Sequence, residues 1–197
     1  QTPVSAYLRL AAGSRNTFLL ESVEGGEIRG RFSVIGLSPD LIWRCRGSVA
    51  EINRDPANSG EFSADSRAPI DSLRALMAES AMADTGNLPP MSAGLFGYFG
   101  YDMIRHIEAI PDANPAVIDT PDSMLVRPSL IAIFDRLKDS ITFVVQVRPA
   151  EWDEPQAAWS HAQDRIAAAL DALDAPMPPT EAGESTAPLP DPRSNME

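Results

Sequence analysis

Leu19, Leu20, Glu21 and Ser22 put an acid and a hydroxyl at the end of an apolar run, and Phe32 follows ten residues after Ser22. Paired across the Gly-rich turn between them, the two segments can offer a small zwitterion an ammonium acceptor, a hydroxyl and an apolar slot, which together suit a free amino acid. The same residues admit a plainer reading. Leu19 and Leu20 would then be core, and Glu21 and Ser22 a solvated strand end.

A second segment, Gly94 to Glu108, reads GLFGYFGYDMIRHIE. Gly94, Gly97 and Gly100 recur every third residue with aromatics between them, a spacing unlike the GxGxxG of a dinucleotide fold, and no βαβ unit surrounds it. Glycines in an aromatic strand mark bulges or close backbone approach, so packing is their expected role. Asp102 is placed to cap the helix that follows, with Arg105 and Glu108 as a surface ion pair three residues apart. His106 and His161 have no Cys or His at metal-ligand spacing. Cys45 has the pattern of a small core residue on the apolar face of a strand, with Arg44 and Arg46 pointing away. There is no GxSxG, P-loop or HExxH motif.

The elements that must hold these residues follow from periodicity. Thr2 and Pro3 predict the N-cap and first position of a helix over residues 4–12. Strands are expected at residues 17–22 and 31–37, then a hairpin at 41–53 with Leu41, Trp43 and Cys45 on its buried face and its turn at Arg46-Gly47-Ser48. Residues 55–68 form a loop, and Pro69 opens a helix to about Met82. A short helix runs from Asp102 through Ile107. Two more strands are expected at 129–135 and 140–148, and a last helix at 154–173 carries Trp159, Ala162, Ile166, Leu170 and Leu173 on its core stripe. The class is α+β, with mostly antiparallel sheets in a β-sandwich-like core and flanking helices.

The chain has 197 residues, 44% of them hydrophobic, enough for one sizeable core. Its 28 acids against 16 bases give a formal charge of -12, which opposes binding to nucleic acid or an anionic membrane. No apolar run approaches the roughly 20 residues of a bilayer span, and one cysteine cannot make an internal disulfide, so a cytoplasmic setting is expected. Gln1 opens the sequence without a methionine, so a few residues are expected ahead of it. Residues 175–197 hold six prolines and an acidic balance, the composition of a linker or disordered tail after a domain spanning 1–174.

The LLES run, the following VEGGEIRGRFSVIG and the GxxGYxGYDxxR order together resemble the amino-terminal part of anthranilate synthase component I. The resemblance covers nearly the whole chain. It implies the sandwich core just described and, beyond residue 197, a chorismate-binding catalytic domain. It also implies a reaction in which chorismate and ammonia, drawn from glutamine by an amidotransferase component II, give anthranilate and pyruvate in tryptophan biosynthesis. Magnesium would be held by that second domain, with no cofactor or catalytic residue in this segment, which alone is expected to be an inactive piece of a lyase. In such proteins the LLES segment lines the feedback L-tryptophan site, so Ser22, Glu21, Leu20 and, on the next strand, Phe32 are the residues to which the effector role carries over. Two other identities remain open here: the large subunit of aminodeoxychorismate synthase, which shares the GYxGYD-like region, and a free-standing amino-acid-binding domain.

Overall fold

The computed structural model describes residues 1–21, 30–82, 86–111 and 119–178. Within them lie α1 (Pro3–Leu10), β1 (Phe18–Leu20), β2 (Phe32–Arg46), β3 (Val49–Asn53), β4 (Ser63–Ala64), α2 (Pro69–Glu79), β5 (Phe96–Phe99), β6 (Ser123–Asp135), β7 (Ser140–Val145) and α3 (Pro155–Asp174). The expected α+β class holds. Seven strands, paired antiparallel throughout, form one sheet flanked by helices.

Two long strands, β2 and β6, are its spine. Along one half of that spine β1 and β7 are the outer strands, and along the other half β3, β4 and β5. The expected break between residues 37 and 41 is not a turn, because β2 runs straight through it. Pro39 pairs with Pro128 and Leu41 with Arg127, leaving Asp40 as one extra residue on β2, with Ser38 at φ 47° beside it. The turn-like Ser-Pro-Asp signal encodes a β-bulge.

That extra residue decides which side chains share a face. Before the bulge Val34 opposes Ile133, and after it Trp43 opposes Leu125, so an even and an odd position of β2 lie on one face while β6 keeps its alternation. On that face Val34, Ile131, Ile133 and Val144 form one cluster, and Leu41, Trp43 and Cys45 form another with Leu76 of α2. On the opposite face Ile35, Leu37, Leu130, Ala132 and Phe134 pack beneath Ala6 of α1 and Ala169 and Leu173 of α3. Full burial of a Leu or Ile of this kind contributes about 1.5–3 kcal/mol.

The first helix begins as its cap dictates, while α2 and α3 open on a proline with no side-chain cap. Thr2 Oγ1 accepts from the Ser5 amide at 3.2 Å and Ser5 Oγ accepts from the Thr2 amide at 3.1 Å, a reciprocal capping box. α2 ends at Glu79, short of the expected Met82, where the Glu79 and Ser80 side chains turn to Arg127. In α3 the core stripe is Ala158, Ala162, Ala169 and Leu173. Trp159, expected in the core, is 61% exposed, and Leu170 is exposed too, because the helix docks through its alanines and is rotated relative to its bulkiest residues. No helix among the described residues is long and apolar enough to cross a membrane.

Candidate functional site

β1 is held against β2 with Leu20 opposite Val34, which puts Leu20 beside the start of β2 and hence beside Phe32. There Leu20, Glu21, Phe32 and Val34 line a pocket of about 380 Å³ together with Leu19 and Met91. Three of the four residues expected at the effector site therefore meet. The fourth, Ser22, lies outside the described residues. Leu20 is 49% exposed, a side chain turned to a pocket wall and not into the core.

The pocket's polar group is the Glu21 carboxylate, whose Oε1 is 3.7 Å from an Arg136 guanidinium nitrogen. Phe32 is fixed from behind. The Arg31 guanidinium lies 4.8 Å from the Phe32 ring centre and donates two bonds to Asp135, at 2.8 and 2.6 Å. Those bonds hold the Asp135 carboxyl down at about 2. Next to the pocket, Phe18 stacks on Phe96 at 4.9 Å and lies over Gly36, where a Cβ would stand 2.2 Å from the ring. A shallow, open pocket with apolar side chains and one carboxylate in its lining offers contact to an aromatic side chain with an ammonium beside it.

Val34 and Met91 are lining residues that sequence reasoning did not assign to the site, and Met91 comes from far along the chain. It sits at φ 67° after Pro89 and Pro90, in a turn closed by Ser92 Oγ donating to the Pro89 carbonyl at 2.6 Å. No periodicity marks such a residue. Met91 also borders a larger, mainly apolar groove of about 500 Å³ between α2 and the segment leading into β5, with Met77, Leu88, Leu95 and Phe99 in its walls.

The glycine-rich segment packs as expected. A Cβ on Gly97 would stand 1.9 Å from the Met124 carbonyl oxygen, and one on Gly100 2.6 Å from that of Asp122. The ion pair expected between Arg105 and Glu108 is made with Asp102 instead, at 2.8 Å, and this takes up the carboxylate expected as a cap. The reason is geometric: residues 101–106 form a 3₁₀ helix, whose three-residue turn stacks Asp102 and Arg105. Cys45 is fully buried, its Sγ 3.5 Å from His106 Nε2, and burial followed by the charge of Asp122 pushes the thiol up to about 11, which disfavours the thiolate. The His161 ring rests on Trp152 at 5.0 Å. Among the described residues there is no group of three or more His, Cys, Asp or Glu that could hold a metal ion.

No family model matches the chain. It is 46% identical over 174 residues to anthranilate synthase component 1 of Cereibacter sphaeroides, an alignment covering 88% of this chain and 35% of that protein. The protein of that name from Pseudomonas putida is 34% identical over 180 residues, covering 90% and 35%, and that of Thermus thermophilus is 33% identical over 162 residues, covering 81% and 33%. The fold agrees with the crystal structure of anthranilate synthase component I from Streptococcus pneumoniae, with a TM-score of 0.62 at 24% identity over 90% of this chain and 36% of that one. The chain spans about a third of the length of these relatives. Over about nine-tenths of its own length, in sequence and in fold, it is a homologue of anthranilate synthase component 1.

Proposed function

We propose that this chain is the amino-terminal, regulatory part of an anthranilate synthase component 1, and that the pocket at Leu20, Glu21 and Phe32 holds L-tryptophan as feedback effector. The observation that carries the reading is the meeting of those three side chains around about 380 Å³ of space, with one carboxylate at its edge. Glu21 would take the ammonium and Leu20, Phe32 and Met91 the indole, with Ser22 at the adjoining chain end. In the whole subunit the reaction is the amination of chorismate and loss of pyruvate to give anthranilate, with ammonia delivered by a glutamine amidotransferase. Chorismate and magnesium belong, on this reading, to residues outside this chain, and the whole acts in the cytoplasm. Tryptophan bound here would bias the arrangement of this domain against the catalytic one, a coupling of about 1–3 kcal/mol.

Isothermal titration of L-tryptophan into the full-length subunit, and into the 197-residue chain, tests the site. Binding to the full-length protein should weaken about tenfold in Glu21→Gln, the loss of one charge-assisted hydrogen bond. Inhibition of anthranilate formation should be relieved in Ser22→Phe. Unchanged tryptophan inhibition in both variants would remove the regulatory role. A product other than anthranilate, identified by chromatography, would overturn the assigned activity.

A further inference from the structure

On the face of the sheet opposite the proposed effector pocket lies a larger cleft, of about 1060 Å³, floored by Ile42 and Arg44 of β2 and Met124 of β6 and walled by α3. Residue 165 of α3 falls on the helical spacing of the buried positions Ala158, Ala162, Ala169 and Leu173, yet it is an arginine. Its guanidinium reaches the cleft and donates to Ser129 Oγ at 2.9 Å. Ser129 in turn donates to the Ser38 carbonyl at the bulge. Among the described residues no carboxylate lies within ion-pairing distance of Arg165, and Ser129 is its single hydrogen-bond partner.

Most of the neighbouring charges are engaged elsewhere, and Arg15 at the rim is solvent-exposed. Arg44 pairs with Glu51 at 2.7 Å, Arg54 holds Glu79 through two bonds, and Asp40 is engaged by Arg127 and Arg148. Asp55 accepts from the Asn58 amide. Arg165 is the half-buried cation in this cleft that makes no ion pair; its desolvation lowers its pKa, and the more distant charge of Asp40 opposes that only in part. An arginine so placed costs stability unless an anion meets it.

We infer that this cleft binds a small anion, a carboxylate or a phosphate group, on the guanidinium of Arg165. The planar fork of arginine matches either group through paired N–H donors. A small ligand is favoured over a polyanion because the chain's charge of -12 repels an extended negative partner, while a recessed single cation admits a compact one. The floor of Ile42 and Met124, with the Phe62 ring held under Arg44 at 3.7 Å, adds apolar contact for an organic anion.

The test is a ¹H–¹⁵N NMR titration of the 197-residue chain with sodium phosphate and, separately, sodium benzoate, each against sodium chloride at equal ionic strength. Saturable shifts are expected at Arg165, Ser129 and residues 13–16, and affinity should fall about tenfold in Arg165→Gln, the loss of a hydrogen bond to a charged group. Arg165→Lys should retain part of it. Saturation by phosphate alone supports a phosphate-bearing ligand and by benzoate alone an organic carboxylate. Thermal unfolding separates binding from a merely structural role. Binding predicts that either anion raises the melting temperature of the wild type more than that of Arg165→Gln, and that the anion-free variant is no less stable. A less stable Arg165→Gln together with no anion-dependent gain in the wild type, or shifts that chloride reproduces, would overturn the site.

Discussion

Gly97 and Ser72 show how single atoms fix this fold. A methyl at Gly97 would collide with the Met124 carbonyl of the neighbouring strand at 1.9 Å, and backbone cannot give way as a side chain can. Gly97→Ala should therefore cost about 1–3 kcal/mol, read from the urea midpoint, while the same change at the unobstructed Gly60 should leave the midpoint within about 0.5 kcal/mol. Ser72 links two buried groups, accepting from Trp43 Nε1 at 3.0 Å and donating to Asp65 at 2.7 Å. In Ser72→Ala the indole N–H of a fully buried tryptophan loses its acceptor, with an expected loss of about 1–3 kcal/mol and an altered Trp43 fluorescence maximum. At this scale the site was partly legible. Leu20, Glu21 and Phe32 are linked by short-range strand spacing, so their meeting follows from local pattern. Met91 arrives through a left-handed turn far along the chain, and neither a hydrophobic period nor a motif reports that.

The bulge in β2 is where sequence pattern and structure part. The expected strands stop at 37 and resume at 41 around Ser-Pro-Asp, since proline cannot donate to a ladder, yet Pro39 faces Pro128 and neither strand needs that bond. The extra residue, Asp40, then holds Arg127, which is only 3% exposed, and Arg148. Asp40→Asn should cost about 1.5–3 kcal/mol through weakened charge-assisted bonds to a buried guanidinium, and the loss should persist in high salt because the pair is shielded from it. Glu79 closes the same network from α2, bonded to Arg54 and Arg127, and those bonds lower its pKa from 4.5 to about 2. A depressed carboxylate contributes stability that is complete above its unfolded value and is lost as pH falls through its folded value. Stability should thus decline from pH 4.5 toward about 2, and Glu79→Gln should shallow that decline without abolishing it, since Asp65 and Asp135 are depressed in the same direction. A urea series across this range, wild type against variant, reads the difference. α3 was legible as a helix but not in its rotation, because a stripe of alanines is a weaker hydrophobic signal than Trp159 and Leu170.

At the scale of the whole molecule, composition predicts enough apolar residues for a sizeable core, which the sheet divides into clusters on its two faces, and it cannot foretell what those clusters leave uncovered. Phe99, Tyr101 and Met77 are exposed by 57, 84 and 59%; Phe99 and Met77 line the groove that also takes in Met91, which borders the pocket at Leu20 and Glu21 as well, and Tyr101 lies two residues beyond Phe99. In a sequence such residues read as core, since apolar side chains carry no mark of which partner buries them. The relatives are about three times as long as this chain, and on the proposed reading the remainder of such a protein lies against this face. Hydroxyl-radical footprinting tests this directly. In the 197-residue chain Met77, Met91, Phe99 and Tyr101 should be modified readily, whereas in the full-length protein they should be protected about tenfold, the order expected when half-exposed side chains enter a dry interface. Trp159, on the outer side of α3, should be modified equally in both and serves as the internal reference. L-Tryptophan added to the full-length protein should change the protection of Met91, which borders both the proposed effector pocket and the groove, more than that of Met77, which borders the groove alone. Equal modification of all four residues in the two proteins would mean that the catalytic part docks elsewhere, and the proposed route from effector to active site would have to be abandoned even if tryptophan still bound at Leu20 and Glu21.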